Sequence, residues 1–207
     1  MTDSIYDQLN ANGTVAKQRF VENFSGSALD TDRWATNHTL SGTSNMSDTV
    51  NGGVALSTGV TNASVSAIDF NDIRQYSPTG SVMILVAQRD NDNQYSECYL
   101  RNTDIRGSNT DYAEIYHRID SANIRLQTRD NAGSSTNVDT GVARNVNEML
   151  YKLECLASTC ELSLDGVLKA TSGTNLPSLK LQAGLKTQNT SAADRILNVR
   201  YVECYNT

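Results

Sequence analysis

The clearest pattern in the sequence is a pair of short runs, Leu150-Tyr151-Lys152-Leu153-Glu154-Cys155 and Cys160-Glu161-Leu162-Ser163-Leu164-Asp165-Gly166-Val167-Leu168. In both runs apolar and polar residues alternate with a period of two, which is typical of β-strands that bury one face. Four residues separate the runs, which is a common length for a hairpin loop. Asp165-Gly166 then supplies a tight turn, since glycine accepts positive φ without steric cost. The segment therefore predicts a β-hairpin with one buried face.

Short strands separated by Gly, Asn and Asp turns continue along the rest of the chain. The pattern predicts strands near 19–24, 48–57, 63–70, 80–88, 95–101, 111–119, 123–129, 137–142, 149–155, 160–165, 178–186 and 195–205. No stretch has a sustained helical period, and no repeat or linker divides the chain. We therefore expect a single all-β domain over residues 19–207, a sandwich of two antiparallel sheets, with the apolar run 81–87 as a central strand.

Residues 1–18 precede this pattern and are mostly polar. We interpret them as an N-terminal arm outside the sandwich. Ordering such a segment costs conformational entropy, and its few apolar residues do little to offset that cost. The arm is therefore expected to be held either by its own sandwich or by a neighbouring subunit, as in a homo-oligomer or a larger particle.

Composition excludes several classes of partner. The 207 residues carry a formal net charge of −6, which argues against binding to nucleic acid phosphates and to anionic membranes. No apolar run is long enough to span a bilayer. The amino terminus has neither the basic region nor the apolar core of a secretory signal, so we expect a cytosolic protein or one that is released by lysis.

Three stretches carry a resemblance to a known superfamily. The hairpin strings Tyr-Lys-Leu-Glu and Leu-Ser-Leu-Asp-Gly-Val-Leu-Lys-Ala resemble the late hairpin of concanavalin A-like sandwiches of the laminin-G and glucanase type. Residues 20–34 resemble their opening strand with a Leu-Asp-x-x-x-Trp corner, and residues 195–205 resemble their closing strand. The likeness spans roughly residues 19–206 and implies an antiparallel jelly-roll sandwich; it says little about function.

The middle strands predict a candidate binding face. If the apolar positions of 95–101, 111–119 and 123–129 face the core, aromatic, charged and amide side chains lie together on the outer face of one sheet. Resembling folds bind sugars on such a concave face, where rings stack on sugars and polar groups bond hydroxyls. The candidate glycan-binding residues are Tyr95, Glu97, Tyr99, Arg101, Tyr112, Glu114, Tyr116, Arg118, Arg125 and Gln127. The alternative is a solvated face that cross-strand pairs merely stabilise.

Catalytic residues are not predicted. Laminarinase-type hydrolases of this fold carry Glu-x-Asp-x-x-Glu on one strand, and that pattern does not occur in this sequence. Glu97 and Glu114 could pair across adjacent strands, but nearby arginines favour structural ion pairs. His38 and His117 lack a surrounding triad motif, and His117 falls on the core face, where a satisfied buried histidine is expected. We therefore expect no enzyme activity.

Metal and disulfide sites are open alternatives. Asp90 and Asp92 give alternating oxygen donors that could bind calcium, and Asp30 with Asp32 is a second such turn. The alternative is a polar turn held by Asx hydrogen bonds. Cys155 and Cys160 flank the hairpin loop and lie within disulfide reach, or they are small buried hydrophobic residues.

Together these features favour a non-catalytic, lectin-like module. We expect it to bind a glycan or cell-surface polysaccharide and to decorate a virus or phage exterior, with the arm attaching it to other particle subunits. A virion protein is made inside a cell and acts outside it, which would explain a glycan-binding fold without an export signal. The alternative is a polysaccharide hydrolase or lyase of the same fold with an unrecognised site.

Overall fold

The described part of the chain forms fifteen β-strands. A computed structural model describes residues 19–46, 52–70, 76–92, 94–103 and 111–207. The strands are β1 (Arg19–Glu22), β2 (Ala35–Thr36), β3 (Thr43–Met46), β4 (Val54–Ser57), β5 (Val65–Asp69), β6 (Ser81–Arg89), β7 (Gln94–Arg101), β8 (Tyr112–His117), β9 (Asn123–Arg129), β10 (Ser135–Ala143), β11 (Met149–Cys155), β12 (Cys160–Leu164), β13 (Val167–Ser172), β14 (Gln182–Asn189) and β15 (Ile196–Asn206). The predicted arm over residues 1–18 lies outside the described residues.

The strands form two antiparallel sheets. One has eight strands in the order β13-β12-β11-β6-β15-β4-β3, with β1 also paired to β15. The other has seven strands in the order β10-β9-β8-β7-β14-β5-β2. This is the two-sheet antiparallel jelly roll that the strand pattern predicted, and β6 is central in its sheet as expected. The described part of the chain contains no helix long and apolar enough to cross a membrane.

The hairpin of β11 and β12 has the predicted register. Leu153 lies opposite Leu162, and Cys155 lies opposite Cys160. These side chains are almost completely buried, because period-two alternation sends them all to the face that packs on the other sheet. The backbone turns at Asp165 and Gly166, which both have positive φ.

An aromatic cluster joins the two sheets. The Trp34 ring, only 1% exposed, lies 4.6 Å from the ring of Phe70 and 5.8 Å from that of Phe20. Phe20 belongs to β1 in the eight-stranded sheet, and Phe70 directly follows β5 in the seven-stranded sheet. Their edge-to-face contacts therefore fix the sheets against each other.

Three strands were not predicted. β2 has only two residues, and β3 is a Thr-Ser-Asn-Met segment without apolar alternation. β13 lies at the edge of its sheet, where Val167 and Leu168 are more than half exposed. All three segments are strands because they pair with a neighbouring strand. The local hydrophobic pattern does not contain that information, so sequence did not predict them.

Candidate functional site

The candidate site lies on the outer face of the seven-stranded sheet. Strands β7, β8 and β9 are neighbours, and β14 pairs with the other side of β7. The register places Tyr99 opposite Glu114, and Glu97 opposite Tyr116. Tyr116 in turn lies opposite Arg125, and Glu114 opposite Gln127. The structure thus brings the predicted glycan-binding residues of the three strands onto one face, with Arg118 directly after β8.

Arg101 joins the two carboxylates of this face. Its Nη2 donates to Oε2 of Glu97 at 2.8 Å and to Oε2 of Glu114 at 2.5 Å. All three side chains are buried, with exposed fractions of 4% for Arg101, 9% for Glu97 and 3% for Glu114. Buried ion pairs of this kind are stable only when each charge keeps its partners.

The two carboxyl groups have different electrostatic surroundings. Burial raises the pKa of Glu114 to about 7, because the opposing effect of Arg101 is too weak to cancel it and Glu97 adds to the rise. Burial also acts on Glu97, but Arg101 and Lys186 more than offset it and lower the pKa of that group. Lys186 Nζ lies 3.1 Å from Oε1 of Glu97. At neutral pH the face therefore holds one ionised carboxylate and one group that is easily protonated.

Tyr99 fixes the other side of Arg101. The guanidinium carbon of Arg101 lies 4.3 Å from the centroid of the Tyr99 ring, a cation–π distance. The Tyr99 hydroxyl donates to Oδ1 of Asp69, and Oδ2 of Asp69 accepts a bond from Asn37 Nδ2 at 2.5 Å. Burial, followed by the charge of Asp69, raises the pKa of Tyr99 far above its ordinary value, so the hydroxyl stays a donor.

Gly184 makes room for this arrangement. It lies between Tyr99 and Asp69 in the register of the sheet. A Cβ at this position would collide with the Tyr99 ring and with Oδ1 of Asp69. The ring can therefore lie across β14 only because residue 184 has no side chain.

Around this buried group lies a rim of half-buried and exposed side chains. The guanidinium of Arg118 is 5.6 Å from the Tyr95 ring and 5.5 Å from the Tyr116 ring, and its Nε is 3.0 Å from Asp120. Arg125 Nε donates to Ser121 Oγ at 2.8 Å. Tyr95 and Tyr116 are the tyrosines of this face with exposed ring surface.

Two of the predicted stacking residues differ from expectation. Tyr99 is 0% exposed, and Tyr112 is 6% exposed with its ring 5.1 Å from the Arg101 guanidinium. Both rings pack on Arg101, so neither presents an open face to a sugar in this structure. The sugar-stacking role that the alternation predicted for them is replaced by a packing role.

Four residues of the site were not predicted. Asn37 and Asp69 come from the β2–β5 side of the sheet, and Lys186 and Gln182 come from β14. Gln182 is fully buried opposite Arg101, and neither of its amide atoms has a hydrogen-bond partner among the described residues. Alternation along β14 separates an outer face, with Gln182, Gly184 and Lys186, from a core face with Ala183 and Leu185. Sequence does not show, however, that β14 pairs with β7.

The acidic turns bind backbone and arginine groups. Asp90 Oδ1 accepts a bond from the Ile196 amide at 2.8 Å, and Asp92 Oδ1 lies 3.4 Å from Arg89 Nη2. In the first acidic turn, Asp30 Oδ1 accepts a bond from the Asp32 amide at 3.1 Å. Among the described residues no group of three or more His, Cys, Asp or Glu could hold a metal ion. The binding of calcium at Asp90 and Asp92 stays a prediction.

The remaining candidates lie away from the face. His117 is on the core face, as predicted, and its Nδ1 has no hydrogen-bond partner among the described residues. His38 is half buried, and its Nε2 lies 3.2 Å from Ser44 Oγ. All four cysteines are free and buried, which agrees with the hydrophobic alternative for Cys155 and Cys160.

Comparison with known proteins gives matches in structure alone. No family model matches the sequence, and no curated protein matches it. The fold is similar to that of a Bacillus licheniformis β-glucanase, with 16% identity, a TM-score of 0.68, and 91% of this chain and 98% of that chain covered. A prokaryotic β-1,3-1,4-glucanase (lichenase) derived from a mouse hindgut metagenome is similar at 12% identity, with a TM-score of 0.68 and the same coverage. The Crh5 transglycosylase is similar at 14% identity and a TM-score of 0.63, with 91% of this chain and 84% of that chain covered. The chain has the concanavalin A-like jelly-roll fold that the resemblance implied.

These comparisons contradict the prediction of a non-catalytic module that is not an enzyme. The similar structures are glucanases and a transglycosylase, so the alternative, a polysaccharide-active enzyme, agrees with them better. The prediction rested on the missing Glu-x-Asp-x-x-Glu pattern and on the interpretation of Glu97 and Glu114, on adjacent strands, as members of structural ion pairs. The virion location and the attachment through residues 1–18 stay predictions, since those residues lie outside the described part of the chain.

Proposed function

We propose that the protein is a polysaccharide-active enzyme that hydrolyses or transfers glycosidic bonds, with Glu97 and Glu114 as its pair of carboxyl groups. Cleavage of a glycosidic bond requires one carboxylic acid to protonate the leaving oxygen and one carboxylate to act as nucleophile or base. The observation that carries the proposal is the shared contact of both groups with Arg101 Nη2. The fold of the similar glucanases and transglycosylase supports the same class of reaction.

The spacing of the pair favours retention of configuration. Since both Oε2 atoms bond the same nitrogen, they lie at most about 5 Å apart, which is no wider than the separation found in retaining enzymes. An inverting enzyme needs a wider gap to admit a water molecule. We therefore propose a covalent glycosyl–enzyme intermediate, which either water or a second sugar hydroxyl would resolve.

The electrostatics suggest a role for each group. Glu114 has the raised pKa that a general acid needs near neutral pH. Glu97 has the lowered pKa of a nucleophile that stays ionised, and Arg101 with Lys186 compensates its charge. Pairs of carboxyl groups whose surroundings push their pKa values apart are characteristic of acid and nucleophile assignments.

The rim supplies groups that suit a glycan. The half-buried rings of Tyr95 and Tyr116 can stack on apolar sugar faces, and Arg125 and Gln127 can bond hydroxyls. These four residues lie on the same face as the carboxyl pair, along β7, β8 and β9. A polysaccharide that crosses these strands would pass over Glu97 and Glu114.

The experiment is an activity assay with matched variants. Purified protein is incubated with β-glucans, alginate and agar, and new reducing ends and transfer products are measured. We expect activity on at least one polymer and a loss of about 10²- to 10⁴-fold in Glu97→Gln and in Glu114→Gln. Glu148→Gln is the control, since Glu148 is an exposed residue paired with Arg200. The proposal fails if no polymer is cleaved or transferred, or if both variants keep full activity.

A further inference from the structure

A buried arginine lies between the sheets at one end of the sandwich. Arg89 ends β6, and its side chain is 2% exposed. Its Nη2 donates to the Asn145 carbonyl at 2.5 Å and lies 3.4 Å from Asp92, whose side chain is half exposed. Its Nε and Nη1 are buried and have no hydrogen-bond partner among the described residues. A guanidinium stays charged in proteins, so this is a buried cation with incomplete compensation.

Two further nitrogen-bearing side chains lie near this cation. Arg144 Nη1 donates to the backbone carbonyl of Asp92 at 2.5 Å, so its guanidinium lies at the turn whose carboxylate Arg89 contacts. Burial, together with the charges of Arg89 and Arg144, lowers the pKa of His117 far below its ordinary value, so its ring is neutral and close to both arginines. His117 Nδ1 and Arg144 Nε are also buried without a partner among the described residues. Arg89, His117 and Arg144 are referred to below as the Arg89 cluster.

The charge balance of the Arg89 cluster is positive. Among the described residues, the titratable groups with the largest effect on Arg89 are Tyr151, Asp92, Arg144 and Cys98, and Asp92 is the one carboxylate of that set. Burial raises the pKa of both Tyr151 and Cys98 beyond any working pH, so neither supplies a negative charge. Among the described residues, the buried Arg89 guanidinium is therefore left with one half-exposed carboxylate and with unpartnered Nε and Nη1 groups, where charges are poorly solvated.

We propose that the Arg89 cluster binds a small monovalent anion of the halide type. The unpartnered N–H groups of Arg89 and Arg144 would donate to it, and His117 would add a third donor in the tautomer that carries its hydrogen on Nδ1. The anion must be compact, because the sheets of a sandwich pack only about 10 Å apart. A water molecule could bond the same nitrogens, but it would not neutralise the charge. This site lies on the core side of β8 and is independent of the proposed function.

The test begins with unmodified protein. Crystals soaked in sodium bromide are expected to show an anomalous peak within hydrogen-bonding distance of Arg89 Nη1. In solution, the melting temperature is expected to be higher in sodium chloride than in sodium gluconate at equal ionic strength. A chloride concentration ten times its Kd should raise the melting temperature by about 3 °C.

Variants assign the effect to the cluster. Arg89→Met is expected to abolish the chloride dependence, whereas Arg200→Met, which removes an exposed arginine paired with Glu148, should keep it. If Arg89→Met does not fold, Arg144→Met is the second variant, since Arg144 is partly exposed. We expect it to weaken chloride binding at least about tenfold, because one charge-assisted hydrogen bond to the anion is lost. Equal melting temperatures in the two salts, or density without an anomalous signal at the cluster, would overturn the proposal in favour of bound water.

Discussion

Arg101 is the residue on which the candidate site depends. It is a single guanidinium between two buried carboxyl groups, and Lys186 helps to balance the charge of only one of them. Removing one partner of a buried ion pair typically costs about 3–5 kcal/mol, because an uncompensated charge stays behind. Protonation of Glu114, the carboxyl group with fewer cationic partners, costs less free energy than burial of a second uncompensated negative charge.

The raised pKa of Glu114 should therefore be visible in the stability of the protein. A carboxyl group whose pKa is higher in the folded state, about 7 here against 4.5 ordinarily, stabilises the fold only while it is protonated. We expect the contribution of Glu114 to the free energy of unfolding to fall by about 3 kcal/mol at most between about pH 4.5 and 7. The lowered pKa of His117 acts in the same range with the opposite sign, so the contribution of Glu114 is read from the difference between the parent protein and a variant. Urea denaturation at a series of pH values measures this slope.

Glu97 and a variant provide the control for this slope. Because the pKa of Glu97 is lowered in the fold, this group stabilises the protein at pH values above its ordinary pKa of 4.5. That contribution is lost as the pH falls below about 4.5, outside the pH range in which Glu114 acts. Glu114→Gln should remove this fall, since the amide does not titrate, so the variant should become more stable relative to the parent protein as the pH rises from about 4.5 to 7. An unchanged slope in this variant would assign it to another group.

At the scale of strands, sequence predicted faces better than neighbours. Period-two alternation assigned Glu97 and Glu114 to the outer face, because a strand sends successive side chains to opposite sides. It could not identify Lys186 or Asp69, since the order β7-β14-β5 pairs segments that are far apart in the chain. The partners of Glu97 and Tyr99 thus depend on long-range pairing, which no local pattern contains.

Burial of the site was also not predictable from alternation. Tyr99 and Tyr112 occupy positions that the pattern gave to an open surface, yet both are buried against Arg101. Alternation separates the two faces of a sheet, but it does not tell whether polar side chains cover one another. That the polar side chains of the outer face form a buried layer can be seen only in the structure.

The hairpin of β11 and β12 gives a prediction about its cysteines. Cys155 and Cys160 face each other but are free, and each is at most 1% exposed. The hydrogen bond with Cys155, followed by burial, raises the pKa of the Cys160 thiol, so it does not form the reactive thiolate. We expect all four thiols to resist a disulfide reagent in the folded protein and all four to react in denaturant without reductant. Reaction of only two in denaturant would instead support the bridged alternative.

At the scale of the whole molecule, the two sheets are joined by an extensive core. The apolar faces of both sheets pack on each other, and the cluster around Trp34 contains side chains from each. Such an interface favours a single cooperative unit over two sheets that separate independently. The predicted domain over residues 19–207 would then unfold in one step.

Trp34 allows this cooperativity to be measured, because it is the single tryptophan of the chain and is almost completely buried. We expect its fluorescence and the far-ultraviolet circular dichroism to change with the same denaturant midpoint. Phe20→Ala should lower the free energy of unfolding by about 3–5 kcal/mol and shift both signals together, since it leaves a cavity beside Trp34. The control is Val21→Ala on the same strand, where the side chain is 45% exposed and the change should stay within about 0.5 kcal/mol. If Phe20→Ala moved the fluorescence midpoint alone, the two sheets would not form one cooperative unit.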